Sequence, residues 1–360
     1  MSKLNKITIE GYKSIKKLDQ LELKNLNILI GANGAGKSNF ISVFKFLANI
    51  FNQNLQSYVA KSGGPDILLY HGRKTTDNIT MKFEFGHNAY GIRLIPTDDN
   101  RLIFQSEAIF FGGYKNPDGH RIIGTGHSES NLKETKKSVA NYIRPAIRSW
   151  KVYHFHDTSD NAKVKQIHQV NDNLVLKGDA SNLAAYLRKL KNEYEVNYNQ
   201  IVNTIQLVAP FFGDFIYRDD IENIQLEWYE QGDPDTPFKA HMLSDGTLRF
   251  ICLATLLLQP FELMSDTILI DEPELGLHPY AINVLSELIK RVAEQKQLII
   301  SSQSVELINC FEVEDIIVTN REKGATTFER LDTKKLAVWL DEYSLGDLWK
   351  QNIIGGRPSR

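Results

Sequence analysis

With 360 residues, 42% of them hydrophobic and 24% charged, the chain can bury a large core, and a disordered or fibrous protein is excluded. A formal net charge of −2 leaves no overall field to draw the molecule onto nucleic acid or an acidic membrane, so any such contact has to come from a local patch. The cysteine count, Cys252 and Cys310 alone, excludes a disulfide framework, and both read as buried reduced thiols in or beside apolar runs.

No apolar run approaches the roughly 18 residues that a membrane-spanning helix needs, and the opening MSKLNKITIEGYKSIKK lacks the apolar centre of a secretory signal. A cytoplasmic protein with no membrane partner is expected. Residues 4–9 (LNKITI) alternate like a half-buried strand, and residues 26–30 (LNILI) form a short apolar run ending at Gly31. Apolar residues at helical spacing follow from Phe40 to Ile50. Between strand and helix lies GANGAGKS, residues 31–38, which fits G-x-x-x-x-G-K-[ST] in the setting that gives the motif its chemistry. Its glycines let backbone N–H groups turn inward around phosphate oxygens, and the N-terminus of the next helix adds its positive end. Lys37 then reaches the β- and γ-phosphates of a nucleotide, and the Ser38 hydroxyl is a ligand for Mg2+.

From Ile79 to Phe111 the period becomes two. Ile79, Met81, Phe83 and Phe85 alternate with polar residues, and the turn signals GHN and PTDDN separate three runs, the pattern of an antiparallel meander. Residues 133–151 carry Lys133, Lys136, Lys137, Arg144, Arg148 and Lys151 against one acid, Glu134. This segment is the best local candidate for DNA or another acidic partner, although a solvated helix face explains the same residues. A helical stretch over about 181–208 puts Leu183, Leu187, Leu190 and Tyr194 on one face as core positions. No heptad pattern is sustained, which argues against long coiled-coil arms.

After Leu243 come a helix, a strand (TILI, 267–270), a helix (about 279–294), a strand (QLIIS, 297–301) and a last strand near Asp315–Val318. That alternation predicts a mostly parallel sheet covered by helices. The strand at 267–270 runs into Asp271 and Glu272. Two carboxylates at a buried strand end are costly unless a cation meets them, and Mg2+ held from Ser38 would do so. Asp271 is then the metal-side acid, and Glu272 is placed to orient or deprotonate an attacking water. Glu274 follows closely. Pro273, Gly276 and Pro279 shape a turn that also holds His278, for which structural and functional roles both stay open.

GANGAGKSNF, LSDGTLRF (243–250) and IDEPELGLHP, in that order, resemble the Walker A, signature and Walker B/D-loop set of ABC-type ATPases, in the branch containing SMC, RecF and OLD proteins. Asn39 and the N-terminal ITIEGYKSI fit that branch better than a transporter subunit. GGPDILLYHGRKT (63–75), VYHFHDTS (152–159), GDASNL (178–183) and SLGDLWKQNIIGGRP (344–358) are similar to small bacterial ATPases of predicted AAA type, of the AAA_21 or AAA_15 sort. That broad group is associated with DNA repair and phage defence, often beside a nuclease.

The resemblance implies an α/β P-loop NTPase fold of ABC-ATPase type, a mostly parallel sheet with an antiparallel β lobe and a helical inserted subdomain. Residues 1–360 would form one domain: an N-terminal lobe at 1–125 with Walker A and the meander, an inserted, mostly helical region at 126–240, and a C-terminal lobe at 241–360 with signature, Walker B, D-loop and switch. It implies ATP and Mg2+ as cofactors. Lys37 and Ser38 would bind phosphate and metal, with Asn33, Gly34, Ala35, Gly36 and Asn39 completing the cradle, Asp271 supporting Mg2+ and Glu272 acting as catalytic base. Ser244 and Gly246 would contact the γ-phosphate held by the other subunit of a homodimer, because one P-loop per chain makes a two-site ATP sandwich a matter of two chains. Lys13 and Ser14 would lie beside the nucleotide.

Three departures stand out. Asp245 takes the place of the first signature glycine of transporters. In SSQSVELI, Gln303 replaces the switch His of many relatives; it can hydrogen-bond a γ-phosphate but does not titrate near neutral pH. No convincing Q-loop glutamine is found, and His71 is only a positional candidate. About 50 residues follow the switch stretch, too few for the Toprim nuclease domain of OLD-type proteins, so any nuclease chemistry is expected from a separate effector chain. The expected function is an ATPase that dimerises around ATP in a DNA-processing or phage-defence system. A RecF-like repair ATPase and a non-hydrolysing ATP-dependent scaffold are the alternatives, and a transporter subunit is disfavoured.

Overall fold

The computed structural model describes residues 3–112, 119–218 and 222–356; Arg357 and Pro358, the end of the last quoted stretch, lie outside them. In chain order the strands are β1 (Lys6–Tyr12), β2 (Ile15–Glu22), β3 (Leu26–Ile30), β4 (Ile79–Phe85), β5 (Asn88–Pro96), β6 (Leu102–Phe111), β7 (His120–Gly124) and β8 (Lys151–Tyr153). They continue with β9 (His168–Gln169), β10 (Phe212–Ile216), β11 (Asn223–Ile224), β12 (Glu227–Glu230), β13 (Asp233–Lys239), β14 (Thr267–Asp271), β15 (Gln297–Ser302), β16 (Ile316–Glu322) and β17 (Ala325–Arg330). An antiparallel sheet runs β2-β1-β4-β5-β6-β7. A second sheet runs β17-β16-β3-β15-β14-β8, with every neighbouring pair parallel except β17–β16.

Every residue of β3 and β15 is buried, as parallel strands covered on both faces must be. Alternate residues enter different cores. Ile28, Ile30, Ile268, Ile270, Leu298 and Ile300 pack with helices 183–193, 195–208, 245–258 and 279–293. Leu29, Leu269, Ile299 and Ile317, out of phase with them, pack with the helix Lys37–Phe51 and the antiparallel sheet. The sheet therefore separates two cores, and the loops at the C-terminal ends of its strands carry the site described below.

Trp150 joins that helix to the antiparallel sheet, its ring centroid 5.0 Å from Phe44, 5.7 Å from Phe83 and 5.9 Å from Phe85. Trp150→Ala is expected to cost about 3–5 kcal/mol, read as a lower midpoint of chemical denaturation at unchanged slope. A loss below about 1 kcal/mol would mean that the join is held elsewhere.

Several expectations are refined. The region 126–240 holds the helices 140–149, 183–193 and 195–208, yet it also supplies β8 and the small sheet β10-β12-β13. FGDFI and EWYE pair there over Phe212, Phe215 and Trp228. The helical stretch at 181–208 divides at Tyr194, whose φ of −140° and ψ of 52° interrupt it. Cys252 is buried, and burial pushes its thiol up to about 12; Cys310 is only half-buried, its Sγ set between Asn283 and the Glu306 carbonyl. Among the described residues no helix is long and apolar enough to cross a membrane.

Candidate functional site

β3 ends at Ile30, and the chain turns through residues 31–36 into the helix Lys37–Phe51. Gly34 and Gly36 take φ of +78° and +114°, which L side chains resist. A Cβ on Gly34 would meet nothing within 4 Å, whereas one on Gly36 would stand 2.2 Å from Thr326 Oγ1. One glycine is thus open to the cleft and the other is pressed against β17. Behind the loop, the Thr326 hydroxyl donates to the Ala35 carbonyl at 2.9 Å and lies 2.7 Å from Ser14 Oγ, to which Asn39 Nδ2 also donates at 2.7 Å. The loop is therefore braced from the β1–β2 turn and the β16–β17 hairpin.

Lys37 is buried and donates to the carbonyls of Gly31 at 2.6 Å and Ala32 at 3.2 Å. Burial lowers its pKa, and the nearby Glu272, Asp271 and Glu274 act in the opposite direction. Ala32, Asn33, Gly34, Gly36, Lys37, Ser38, Asn39, Glu272 and Gln303 line one pocket. Ala35 is buried beneath it. Lys13, Ser14 and His71 are not among the lining residues: Lys13 Nζ donates to Ser42 Oγ at 3.0 Å, and His71 packs edge-on against Tyr70.

The acidic side of the pocket comes from β14. Ser301 Oγ donates to Asp271 Oδ1, because the parallel register sets Ser301 opposite Asp271. Glu272 holds a φ of +43°, a strained conformation for a residue with a side chain, and its N–H donates to the Ser301 carbonyl at 2.9 Å. Gln303 Nε2 donates to Glu272 Oε1. Glu274 Oε1 accepts from Ser302 Oγ at 2.8 Å, Gln303 N–H at 2.8 Å and Ser304 N–H at 3.1 Å. Burial raises the Glu274 pKa against those hydrogen bonds.

A glycine loop, a buried ammonium, the exposed Ser38 hydroxyl and the Glu272 carboxylate suit a triphosphate with a hard divalent cation, whereas Asp271 is not among the lining residues. Among the described residues no three His, Cys, Asp or Glu side chains converge to hold a metal unaided. A cation here would share its ligands between Ser38, Asp271, phosphate oxygens and water, as Mg2+ does.

Ser244 and Gly246 are not part of this pocket. Ser244 is exposed and caps the helix Asp245–Leu258, accepting from Thr247 N–H at 3.2 Å. Asp245, also exposed, opens the first turn of that helix, where a negative charge favours the helix dipole. A Cβ on Gly246 would lie 2.4 Å from the Gly276 carbonyl, so the signature turn and the D-loop touch backbone to backbone. Arg249 locks them: its guanidinium donates to the carbonyls of Leu275 at 2.9 Å, Phe155 at 3.1 Å and His156 at 2.9 Å, and to Thr158 Oγ1 at 3.2 Å. His156 Nε2 lies 2.9 Å from the Asp271 carbonyl. VYHFHDTS thus begins in β8, the strand beside β14, and GDASNL packs on the residues that follow through the His154 N–H to Gly178 carbonyl bond of 3.0 Å. Reasoning from sequence assigned no role to Arg249, His156 or Thr326; the quoted stretch 152–159 was the signal available for His156. His278 caps the helix Pro279–Ala293 through Nδ1.

In the basic segment, Arg144 donates to the carbonyls of Leu132 and Thr135, and Lys137 Nζ to the Ile122 carbonyl at 3.0 Å. Lys133, Lys136 and Arg148 are exposed. Part of that charge therefore serves the fold.

A family model described as "AAA domain, putative AbiEii toxin, Type IV TA system" (AAA_21) matches residues 26–309. No curated protein is significantly similar to the chain. Among solved structures, an SMC head bound to the C-winged helix domain of ScpA matches with a TM-score of 0.62 at 15% identity, covering 92% of this chain and 99% of that one. The SMC head domain with an extended coiled coil bound to the C-terminal domain of ScpA, from Pyrococcus furiosus, matches with a TM-score of 0.55 at 14% identity, covering 95% and 99%. At such identities the likeness shows the fold. The expected α/β P-loop fold with a mostly parallel sheet and an antiparallel lobe stands.

Proposed function

We propose, for a chain that belongs to the AAA_21 family of AAA domains, that it binds and hydrolyses ATP as a homodimer, each nucleotide lying between the P-loop of one subunit and the signature turn of the other. The observation carrying this reading is the convergence of Lys37, Ser38, Glu272 and Gln303 on one pocket while Ser244 and Gly246 end a helix outside it. An exposed helix N-terminus is a ready anion site, and the second subunit's nucleotide supplies the anion.

In this reading Lys37 transfers its ammonium from the loop carbonyls to phosphate oxygens. Ser38 and Asp271 hold Mg2+, which neutralises phosphate charge when bound. Glu272 accepts the proton of the attacking water, and the Gln303 amide, now on Glu272, turns to the γ-phosphate. Asn33, Gly34, Gly36 and Asn39 complete the cradle. The closing of two subunits would gate a separate effector such as a nuclease in DNA processing or phage defence. The solved SMC heads are bound to ScpA domains, which supports a protein partner here as well.

Phosphate release and solution mass, each with and without Mg-ATP, test the reading. Slow turnover with a doubled mass is the expected result; a constitutive dimer would instead change shape with ATP. No turnover, with mass and shape both unmoved by ATP, would sink it. ATP-dependent dimerisation without turnover would favour a non-hydrolysing clamp, a reading supported by the occupation of Glu272 Oε1 by Gln303.

A further inference from the structure

The two loops that close the pocket, after β14 and after β15, are laced together by three successive acids. Asp271 takes the Ser301 hydroxyl, Glu272 takes the Gln303 amide, and Glu274 takes the turn itself. The third connection differs in kind. Asp271 and Glu272 accept from side chains, whereas Glu274 accepts two backbone N–H groups, those of Gln303 and Ser304, beside the Ser302 hydroxyl.

All three bonds fall on Oε1, and Oε2 is buried with no partner among the described residues. A buried acceptor left unpaired is destabilising, so packing alone does not account for a carboxylate here. Three hydrogen bonds on one oxygen, two of them from backbone N–H groups, fix the turn firmly. Among the described residues the Gln303 side chain beyond that backbone bonds only to Glu272 Oε1.

We infer that Glu274 is a positioning residue for hydrolysis: it anchors the backbone of residues 302–304 so that only the Gln303 side chain exchanges between Glu272 and the γ-phosphate. The kinetic part rests on the ATPase reading above. A turn held this way presents Gln303 at a constant distance from Glu272 in every cycle. Loosening the turn would scatter that amide and slow the chemical step while leaving the P-loop, and hence ATP affinity, intact.

The test compares wild type, Glu274→Ala, Glu274→Gln and Ser302→Ala by steady-state ATPase kinetics, thermal melting and amide hydrogen exchange of the segment 297–308. The side-chain oxygen of glutamine can accept the same three bonds, and its nitrogen would take the place of the unpartnered oxygen. Glu274→Ala should lower kcat by about ten- to a hundredfold with KM for ATP within about twofold, since the three bonds lost belong only to the switch. Exchange at Gln303 and Ser304 should quicken in the nucleotide-free protein. Glu274→Gln should recover kcat to within about threefold of wild type, and Ser302→Ala should shift kcat and exchange in the same direction by less.

Unchanged exchange and kcat in Glu274→Ala would overturn the inference. So would an equal loss in Glu274→Ala and Glu274→Gln, or a loss of kcat matched by loss of ATP affinity. A wild type without turnover would sink the ATPase reading, and the exchange rates would still decide for or against the anchor.

Discussion

Glu272→Gln is expected to reduce phosphate release by about two to three orders of magnitude while ATP stays bound, the usual loss when a positioned general base is removed. The change is nearly isosteric. A glutamine carbonyl can still accept from Gln303 Nε2, as Glu272 Oε1 does, and the backbone N–H to the Ser301 carbonyl is untouched. What disappears is the capacity to take a proton. Binding and hydrolysis should therefore separate: the mutant should accumulate as an ATP-bound dimer, detectable as a stable high-mass species by light scattering after gel filtration. Equal turnover in mutant and wild type would remove Glu272 from the role of base.

Lys37→Ala should abolish useful ATP affinity, raising Kd by about a hundredfold or more, because it removes the buried ammonium from the loop. Among the described residues lining the pocket, which include Glu272, Lys37 is the one lysine or arginine; Arg321 reaches the loop from outside, at the Gly34 carbonyl. Without it, the carboxylates of Asp271, Glu272 and Glu274 lose the cation that they face. Isothermal titration with a slowly hydrolysed ATP analogue measures the loss, and a melting curve without nucleotide confirms that the fold survives. A Kd within about threefold of wild type would mean that phosphate is held elsewhere. The sign of the pH response follows from burial. Because the Lys37 pKa is lowered, its charge is lost below the ordinary lysine range as pH rises. Wild-type affinity should then weaken at alkaline pH by a component absent from Lys37→Ala.

The P-loop was legible because its function is local. A strand, a turn needing left-handed glycines and a helix N-terminus lie within residues 26–51, and backbone N–H groups do the binding. Glu272 was placeable for a similar reason: it follows a buried apolar strand, and the structure sets it on the pocket that Lys37 also lines. Less was legible where a short run could pack in two ways. FGDFI and EWYE lie beside long helices, and only their pairing over Trp228 makes them a sheet. Cys310 sits in an apolar run, but it falls in the turn after the short helix Val305–Ile308 and is only half-buried.

Period and motif spacing, properties of neighbouring residues, determined the alternation of strands and helices behind a mostly parallel sheet and the place of the glycine loop, and the resemblance of the motifs supplied the P-loop fold class. Tertiary structure alone decided how the loop is braced, since Thr326 and Ser14 meet across 312 residues. It alone decided what the acids hold, because Ser301 and Asp271 face each other only through the register of β14 on β15. It also decided that Arg249 ties the signature turn to Leu275 and His156, a link spanning 93 residues on one side. The physical reason is the same throughout. Hydrogen bonds act over about 3 Å whatever the sequence distance, so register and packing, not spacing, choose the partners.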